Sequence, residues 1–312
     1  MTAQKIIEVS AAVLLRSDGS FLLAQRPKGK VYEGYWEFPG GKIESGESPH
    51  HALCRELHEE LGITVTTAYP WLIREFAYPH ATVKLHFFRV FAWQGEPHGQ
   101  ENQQLSWQQL SEIQVTPILP ANAPILRALS LPDVYAISNA ATLGCDEFML
   151  RLDSALQNGL RLLQVREKKL ASDELLKLSL QVVALAHRYK AKVLINGDAK
   201  LAEEVGADGV HYSAEQLLNC MRKPQFNWCA ASCHNAIELK HAEQMGFDFA
   251  LLSPVLPTPS HPGEPHLGWE KFSELTSMTK IPIYALGGLT TNDLDVARQH
   301  GAHGISLLSQ AW

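Results

Sequence analysis

The chain has 312 residues, and 46% of them are hydrophobic, so it is long enough to form two domains with substantial cores. It carries 27 basic and 33 acidic residues, a formal charge of −6, and contains no basic run. Binding to the backbone of a nucleic acid requires clustered lysine and arginine, so we do not expect a nucleic acid polymer as a partner. A free nucleotide that binds through a divalent cation is compatible with this charge.

The five cysteines are odd in number and scattered, which does not indicate a disulfide framework. They stand at positions 54, 145, 220, 229 and 233. The start of the chain carries one lysine and a short apolar run, which predicts a strand rather than a signal peptide. No apolar segment reaches the length that spans a membrane, so we expect a soluble cytoplasmic protein without a membrane partner.

Alternating apolar residues in the first part of the chain predict a mixed β-sheet with one long helix. Strands are expected in six segments, residues 6–15, 21–25, 64–67, 71–78, 83–93 and 105–110. Trp107, in the last of these, is expected in the core. The helix is expected to start after Ser48, a suitable N-cap that precedes Pro49, and to end at Gly62, which can adopt the left-handed conformation.

One face of this helix is acidic. Glu56, Glu59 and Glu60 are spaced i, i+3 and i+4, so their carboxylates project from the same side and repel one another. Arg55 is adjacent in sequence and is therefore expected to point away from them. A hard divalent cation with oxygen ligands neutralises such a cluster, and Mg²⁺ is the usual choice where phosphates complete the coordination. A solvated acidic face is the alternative interpretation. The opposite face is apolar and consists of Ala52, Leu53, Leu57 and Leu61.

The residues around this helix resemble the Nudix box. Gly41, Glu47 and the segment 55–63, RELHEELGI, fill the fixed positions of that box at its spacing. The resemblance implies an α/β/α sandwich with a mixed sheet, and it assigns metal binding to the three glutamates, with Mg²⁺ as the ion and Mn²⁺ as the alternative. A backbone carbonyl at Gly40 is expected to face the metal. Glu47 and Arg55 match positions that orient the cluster or assist the base.

Three further segments narrow this resemblance to the MutT-type branch of the Nudix hydrolases. They are WEFPGGKIE at 36–44, GEP at 95–97 and LPAN at 119–122. That branch hydrolyses 8-oxo-dGTP to the monophosphate and pyrophosphate. The implied role is to clean the nucleotide pool and so to limit DNA damage during DNA replication and repair.

The same resemblance implies which residues hold the nucleotide. Asn122 matches an asparagine that pairs with the edge of the oxidised guanine, for which its amide offers both a donor and an acceptor. Phe38 matches a wall of the base pocket, and Arg26 and Lys42 match nucleotide-binding positions. Apart from the box, Asn122 would be interpreted as a turn residue, Phe38 as a core aromatic and Arg26 as a surface charge.

The expected reaction is attack of water on an internal phosphorus of the triphosphate, in line with the leaving pyrophosphate. Bound Mg²⁺ lowers the pKa of that water and neutralises charge on the phosphate oxygens. A nearby glutamate accepts the proton, and Glu56 and Glu47 are both candidates. Glu101 resembles an extra metal ligand that a loop supplies in this branch, and Glu96 is the alternative residue for this position. Three helix histidines are expected to face solvent: His50, His51 and His58.

A proline-rich stretch, residues 117–132, separates the two halves and predicts a first domain of residues 1–130 and a second of residues 131–312. In the second, eight apolar strands alternate with helices, which predicts a TIM-type (β/α)8 barrel. The strands are expected at residues 134–138, 160–167, 192–196, 209–212, 228–232, 249–255, 281–287 and 304–309. Helices are expected from about residue 146 and over 172–189, and no full helix follows the last strand.

The barrel is expected to bind phosphate at one end and to have its last strand covered by another part of the protein. Phosphate commonly binds in the loops after strands seven and eight of such barrels, where this chain has Gly287, Gly288 and Ser306. Glycines there let backbone N–H groups approach an anion, although tight turns explain them equally well. Because the last strand lacks a full helix, we expect the first domain, or a second subunit in a homodimer, to cover that flank.

The second half resembles the thiamine-phosphate synthase and TenI family. The segment QVREK looks like the family's pyrophosphate-binding strand end, which implies ligand contacts at Gln164, Arg166 and Lys168. Asn196 and His234 match further signatures, and His234 matches the acid/base histidine of the TenI-type thiazole tautomerases. The implied ligand is the phosphate of a thiamine precursor.

Two positions depart from the synthase pattern. Gly197 and Gln216 stand where the resemblance implies metal-binding aspartates, and Asp198 or Glu215 would compensate only through a shift of one position. Mg²⁺ needs charged oxygens at nearly fixed positions, so complete synthase activity is not expected. The synthase lysine expected after a Pro-Thr pair is also displaced, in a region that holds Ser260 and His261.

Several functions are therefore open for this half. The alternatives are a thiazole tautomerase, a synthase with altered metal ligands, and a non-catalytic module that binds a thiamine precursor. In a further alternative the whole chain serves thiamine synthesis, and the Nudix-like half acts on thiamine-related pyrophosphates.

Overall fold

The computed structural model describes residues 6–78, 81–258, 263 and 265–312. The chain divides into two compact units, residues 1–130 and 131–312. Ser260 and His261, in the region of the displaced synthase lysine, lie outside the described residues. Within the described ranges, no helix is both long enough and apolar enough to cross a bilayer. All five cysteines are free thiols, as the sequence predicts.

The first unit is built on two β-sheets. Its elements in chain order are β1 (Ile6–Leu14), β2 (Phe21–Gln25), β3 (Trp36–Glu37), β4 (Gly40–Lys42), α1 (Pro49–Leu61), β5 (Thr64–Ala77), β6 (Thr82–Gln94), β7 (Leu105–Gln108) and α2 (Ala123–Leu129). The larger sheet has the order β4-β1-β6-β5, in which β1 is parallel to β6 and the other pairs are antiparallel. The second sheet, β3-β2-β7, is antiparallel. The predicted mixed sheet is therefore confirmed.

One predicted break in this sheet is wrong. Residues 64–67 and 71–78 were expected as two strands, but they belong to the single strand β5, which pairs with β6 along its length. The register shifts between Val65 and Thr67 and again between Pro70 and Leu72. Such irregularities interrupt the alternation of side chains without ending the strand, so the sequence pattern alone suggests two strands.

Helix α1 has the boundaries that its capping residues predict. The Ser48 hydroxyl accepts a hydrogen bond from the backbone N–H of His51, Pro49 is the first helical residue, and Gly62 has a φ of 69°. The apolar side is fully buried against β1, β2 and β6 and consists of Ala52, Leu53, Leu57 and Leu61. Burial of each leucine contributes roughly 1.5–3 kcal/mol, so this face fixes the helix on the sheet and leaves the glutamate face outward.

Trp107 lies at the edge of this core rather than inside it. Its ring is only partly buried and stacks on Trp93 with a centroid distance of 6.0 Å and an interplanar angle of 17°. The guanidinium of Arg16 lies 3.7 Å from the Trp107 ring centroid. The cation covers the ring face, which explains why a large aromatic residue is tolerated at this exposed edge.

The second unit is a closed barrel of eight parallel strands, which confirms the TIM-type prediction. The strands are β8 (Val134–Ile137), β9 (Leu162–Val165), β10 (Lys192–Asn196), β11 (Gly209–Tyr212), β12 (Trp228–Cys233), β13 (Phe249–Leu252), β14 (Ile283–Leu286) and β15 (Gly304–Leu307). The helices are α3 (Ala140–Leu143), α4 (Cys145–Gln157), α5 (Ser172–Arg188), α6 (Ala199–Glu204), α7 (Ala214–Leu218), α8 (Ala236–Gln244), α9 (Gly268–Thr276) and α10 (Leu294–Gln299).

The barrel interior is aromatic. Tyr135, Phe249 and Tyr284 are completely buried, and the ring of Phe249 lies 5.4 Å from each of the two tyrosine rings. Alternate residues of the same strands face outward and pack with the helices in a second, larger core. These two layers fix the strand ends, so the polar residues that follow the strands hold defined positions at the carboxyl-terminal face.

After β15 the chain forms only a short 3-10 turn over Ser309–Ala311. The Trp312 indole N–H donates to the carbonyl of Ile137 at 2.8 Å, and its ring lies 4.9 Å from the ring of Phe148. Trp312 therefore covers part of the flank that lacks a full helix. The further cover expected there, from the first domain or a second subunit, stays a prediction.

Candidate active site

The glycines that precede α1 bring the backbone against its acidic face. Gly40 has a φ of +143°, and a Cβ there would overlap the backbone of Ser10 on β1. A Cβ at Gly41 would overlap the carboxylate of Glu56. Gly40 is therefore required by its backbone conformation and by the adjacent strand, whereas a side chain at Gly41 would displace the Glu56 carboxylate.

Glu60 lies at the centre of the acidic face. Its carboxylate accepts a hydrogen bond from the backbone N–H of Gly40 at 3.2 Å. Burial raises the pKa of this carboxyl to about 7, and the nearby charges of Glu56, Glu101 and Glu37 act in the same direction. Among the described residues, no cationic side chain forms an ion pair with Glu60. Burial and the neighbouring carboxylates therefore resist ionisation of Glu60, which has no protein counter-ion among the described residues.

Arg55 does not point away from the glutamates, so that prediction is wrong. Its Nη1 donates to Glu56 at 2.8 Å and to Glu59 at 3.2 Å. Its Nε and Nη2 donate to the two carboxylate oxygens of Glu47 at 3.0 and 2.9 Å. The Cβ direction alone suggested that Arg55 lies apart from the glutamates. The long side chain instead bends across the acidic face and reaches Glu59, which lies one turn away at i+4.

Glu47 is held in its ionised form by Arg55. The hydrogen bonds from Arg55 lower the pKa of the Glu47 carboxyl, and a further bond from the backbone N–H of Glu44 at 3.1 Å acts in the same direction. Both carboxylate oxygens are therefore occupied. Such a carboxylate orients its arginine well and is a poor proton acceptor.

A loop after β6 brings Glu101 toward the site. The backbone N–H groups of His98 and Gln100 donate to the carbonyls of Leu61 and Glu60 at 3.1 and 2.9 Å, which caps the end of α1. Glu101 follows directly, and its charge raises the pKa of Glu60.

The two candidate loop ligands differ in their surroundings. Glu101 forms an ion pair with Lys30 at 3.1 Å, close to the acidic face. Glu96 pairs with Arg16 at 3.6 Å, and its side chain is 85% exposed. The geometry therefore favours Glu101 over Glu96 as the residue that assists the three glutamates.

Arg26 is engaged rather than free at the surface. Its Nη1 donates to both oxygens of Glu37 at 2.6 and 2.7 Å, and its Nε donates to the carbonyl of Val31 at 2.7 Å. Burial raises the pKa of the Glu37 carboxyl, and Arg26 opposes that rise. Arg26 thus fixes the loop between β2 and β3 beside the acidic face.

The two residues expected to contact the nucleobase differ in their surroundings. Phe38 is buried, and its ring lies 5.9 Å from Phe21 and 6.0 Å from Phe87, so it packs in the core. Asn122 is only 4% exposed, yet its Nδ2 has no hydrogen-bond partner among the described residues. An unpaired buried amide N–H costs about 1–3 kcal/mol, so Nδ2 is a donor available to a partner from outside the chain.

Lys42 and the helix histidines lie outside this arrangement. Lys42 is exposed at the end of β4, and its carbonyl accepts from Nη2 of Arg55 at 3.0 Å. His50, His51 and His58 are exposed, as expected.

The barrel brings its own polar residues together at the ends of β9 and β10. Gln164 Nε2 donates to Asn196 Oδ1 at 3.1 Å, and the backbone N–H of Arg166 donates to the Ser138 hydroxyl at 2.9 Å. Lys168 is exposed.

His234 has a carboxylate partner that sequence reasoning missed. Its Nδ1 lies 2.9 Å from Glu238 Oε2, and the imidazole is about half exposed. The i, i+4 spacing at the start of α8 was the available signal. A carboxylate on Nδ1 fixes the ring orientation and leaves Nε2 for a ligand.

The residues assigned to the phosphate loops have structural partners. A Cβ at Gly287 would lie 2.8 Å from Pro254, and one at Gly288 would overlap the carbonyl of Pro257, so both glycines allow close packing on the loop after β13. Ser306 is buried, and its hydroxyl donates to the carbonyl of Tyr135 at 2.8 Å.

Sequence reasoning assigned no role to His211, which lies inside the barrel. It is completely buried between the Tyr135 hydroxyl, 3.2 Å from Nδ1, and the Ser232 hydroxyl, 2.9 Å from Nε2. Burial lowers the pKa of His211 to about 3, and the charge of Arg166 adds to the effect. The imidazole is therefore neutral at physiological pH.

Two family models match this chain. The NUDIX domain model matches residues 6–129, and the model of thiamine monophosphate synthase, TMP-TENI, matches residues 134–311. The chain belongs to both families. Its first unit is a Nudix domain and its second a TMP-TENI domain, as the motifs predict.

Curated relatives cover each domain almost completely. The putative thiamine-phosphate synthase 2 of Aquifex aeolicus is 37% identical over 183 residues, which are 58% of this chain and 98% of that protein. The 8-oxo-dGTP diphosphatase of Haemophilus influenzae is 37% identical over 126 residues, 40% of this chain and 93% of that protein. The CTP pyrophosphohydrolase of Escherichia coli is 41% identical over 124 residues, 40% of this chain and 91% of that protein.

Nudix hydrolases generally use a divalent cation, and carboxylate oxygens such as those on the acidic face of α1 are the type of ligand that such a cation takes. Glu60 forms no ion pair with a cationic side chain among the described residues, and Glu56 and Glu59 each have one carboxylate oxygen outside the contacts with Arg55. Among the described residues, no three acidic, histidine or cysteine side chains converge on one point. A cation held by these glutamates would therefore require their side chains to rearrange around Arg55.

Proposed function

We propose that the Nudix domain hydrolyses oxidised purine nucleoside triphosphates, with 8-oxo-dGTP as the preferred substrate and 8-oxo-dGMP and pyrophosphate as products. The expected cofactor is Mg²⁺, with Mn²⁺ as the alternative. Removal of oxidised nucleotides would limit DNA damage during replication. The observation that supports this nucleobase is the buried Nδ2 of Asn122, which has no hydrogen-bond partner among the described residues.

The chemistry of the oxidised base matches that amide. Oxidation of guanine at C8 places a proton on N7, so that N7 becomes a donor beside the O6 acceptor. The oxygen of an asparagine amide can accept a hydrogen bond from N7–H, and its nitrogen, Nδ2, can donate one to O6. Guanine itself has acceptors at both positions, so it would leave the Asn122 oxygen opposed to a lone pair. The unsatisfied Nδ2 of Asn122 therefore supports binding of a purine with an acceptor at O6, and the amide oxygen would distinguish 8-oxoguanine from guanine.

The acidic residues would share the work of catalysis. Mg²⁺ held by Glu56, Glu59 and Glu60, with Glu101 and the Gly40 carbonyl, would activate water and neutralise phosphate charge. In the reaction, the water oxygen bonds to an internal phosphorus, a bridging phosphorus–oxygen bond breaks, and a glutamate takes the proton.

Between the two candidate bases, the geometry favours Glu56. Both oxygens of Glu47 accept hydrogen bonds from Arg55, and its pKa is lowered, so it is better suited to position Arg55. Glu56 gives only one oxygen to Arg55.

A substrate panel tests this function. Hydrolysis of 8-oxo-dGTP, dGTP, CTP and thiamine diphosphate is compared for the wild type, Glu59→Gln and Asn122→Ala. We expect the highest kcat/KM for 8-oxo-dGTP, and Asn122→Ala should lower it by about ten- to a hundredfold, with a smaller effect on dGTP. A preference for CTP would contradict the proposal that an oxidised purine nucleotide is the preferred substrate. Preference for thiamine diphosphate would instead support a thiamine-related role for the whole chain.

The pair of His234 and Glu238 favours a second function, located in the barrel. We infer that the TMP-TENI domain transfers a proton on a thiazole phosphate, as a tautomerase does, and that it does not complete the synthase reaction. Glu238 fixes the imidazole through Nδ1 at 2.9 Å, so Nε2 is the nitrogen that exchanges the proton.

This second function is tested by proton exchange. Deuterium exchange into a thiazole phosphate is followed by NMR, and His234→Asn should abolish it. Glu238→Gln should slow exchange and shift its pH profile. Exchange that persists in His234→Asn would refute this assignment.

A further inference from the structure

The loops that follow β10 and β11 are joined directly at the two positions that depart from the synthase pattern. Gln216 Nε2 donates to the carbonyl of Gly197 at 2.7 Å, and Gln216 Oε1 accepts from the backbone N–H of Ser213 at 3.1 Å. Both ends of the amide are therefore used. Gly197 has a φ of +71°, and a Cβ there would lie 3.0 Å from Gln216 Oε1. The two loops touch where the family pattern implies a pair of aspartates.

These residues do not fit a magnesium ion. Mg²⁺ requires oxygen ligands at about 2.1 Å in near-octahedral geometry, and it usually retains carboxylate contacts. Here one side presents an amide nitrogen, which cannot act as a ligand, and the other a neutral carbonyl. Neither neighbouring acid compensates: Asp198 accepts from the backbone N–H of Leu201 as the N-cap of α6, and Glu215 is exposed.

Positive charge remains at the same face. In the part of the chain that the structure describes, the Arg166 guanidinium forms no hydrogen bond or ion pair. The adjacent Glu167 is buried and faces elsewhere, since its oxygens accept from the backbone N–H groups of Ala140 and Ala141 at 2.7 and 2.8 Å. Arg166 is also close enough to lower the pKa of His211. It is therefore a partly buried cation that an anion from solution can pair with.

We propose that the TMP-TENI domain binds a phosphate monoester at Arg166 without magnesium, because the Gln216–Gly197 hydrogen bond takes the place of a metal site. A monoester carries a charge of about −1.5 to −2 at neutral pH, which Arg166 and the exposed Lys168 can balance. A diphosphate carries more charge and would need the missing cation. The proposal rests on the inferred role of the barrel in ligand binding and names its ligand class.

Calorimetry on the full chain tests this with inorganic phosphate and inorganic pyrophosphate. Each probe is titrated in EDTA and again in excess Mg²⁺. Phosphate should bind in EDTA, and its affinity should change by less than about threefold when Mg²⁺ is added. Arg166→Gln should weaken phosphate binding by about ten- to a hundredfold, because a charge-assisted hydrogen bond is lost. Any phosphate that binds to the Nudix domain is common to both proteins and cancels in the comparison.

A reverse substitution provides the matched control. Gly197→Asp combined with Gln216→Asp should create affinity for pyrophosphate that depends on Mg²⁺, at least about tenfold tighter than in EDTA. Aspartate tolerates the left-handed conformation at 197, and Gln216→Glu alone serves if the double variant does not fold.

Three results would overturn the proposal. They are phosphate binding that requires Mg²⁺, phosphate binding that Arg166→Gln leaves intact, and the absence of phosphate binding in EDTA. Phosphate binding without proton exchange would instead retain the monoester site and refute only the tautomerase function.

Discussion

Arg55 and Glu47 form a paired hydrogen bond, with Nε and Nη2 of the guanidinium 3.0 and 2.9 Å from the two carboxylate oxygens. The remaining nitrogen, Nη1, contacts the adjacent Glu56 and also Glu59, which lies one turn further along the helix. The pair therefore acts as a fixed support that sets where two of the three acidic side chains can lie. These contacts favour a positioning role for the two residues of the box.

Replacing Arg55 by lysine should disrupt this support, because an ammonium group cannot make the paired contact. We expect Arg55→Lys to lower kcat of triphosphate hydrolysis by about ten- to a hundredfold, the usual effect of losing a residue that orients metal ligands. Glu47→Gln should have a similar effect, and the double variant should be little worse than either single one. His51→Gln, on the exposed side of the same helix, is the control. Additive losses would show that the two residues act separately.

Glu60 should lower the stability of the metal-free Nudix domain while serving its chemistry. Its pKa is raised from 4.5 to about 7, so ionisation favours the unfolded state as pH rises through that interval. In EDTA at pH 8, Glu60→Gln should raise the free energy of unfolding by about 2–3 kcal/mol. In excess Mg²⁺ the same variant should have lost hydrolysis. At pH 4 the gain should largely disappear. Denaturant unfolding at both pH values measures this.

Glu59→Gln is the matched control for the Glu60 substitution. Its side chain is 57% exposed on the same helix, so its removal should change stability little at either pH. Equal stabilisation by both substitutions would show that general helix charge, and not the burial of Glu60, is responsible.

Much of the fold follows from local patterns in the sequence. Ser48, Pro49 and Gly62 set the ends of α1 through backbone chemistry that acts within a few residues. The strand β10 has the predicted bounds because a short apolar run between polar loops admits one interpretation. The break predicted within β5 failed because a register shift is a property of two strands, and only one is visible in a local window.

The site was predictable in its residue types and less so in its contacts. Glutamate spacing identified the acidic face, but Cβ direction could not show that Arg55 reaches across it. The effects of Glu37 and Glu101 on Glu60 depend on loops that fold back over the helix. The hydrogen bond between Gln216 and Gly197 joins residues 19 positions apart, and no rule of sequence spacing predicts it.

Removal of divalent cations should abolish hydrolysis, and their return should stabilise the Nudix domain. At a Mg²⁺ concentration about a hundredfold above its dissociation constant, the folded state gains about 2.7 kcal/mol. Differential scanning calorimetry in EDTA and in excess Mg²⁺ should show this as a higher Tm for the wild type. Glu60→Gln should show a much smaller rise. An equal rise in this variant would place the cation elsewhere.

The buried His211 should make the barrel sensitive to acid. Its folded pKa, about 3, lies below the ordinary value of 6.5, so the unfolded state takes up the proton first and stability is lost as pH falls from 6.5 toward 3. Between pH 7 and pH 5 the loss from this residue should be about 2 kcal/mol. Urea unfolding in phosphate-free buffers should show a smaller loss for His211→Gln, although this variant is less stable at pH 8 because its contacts with Tyr135 and Ser232 are weakened. The exposed His51→Gln should retain the wild-type pH dependence, and an unchanged pH dependence in His211→Gln would mean that another group controls the acid sensitivity.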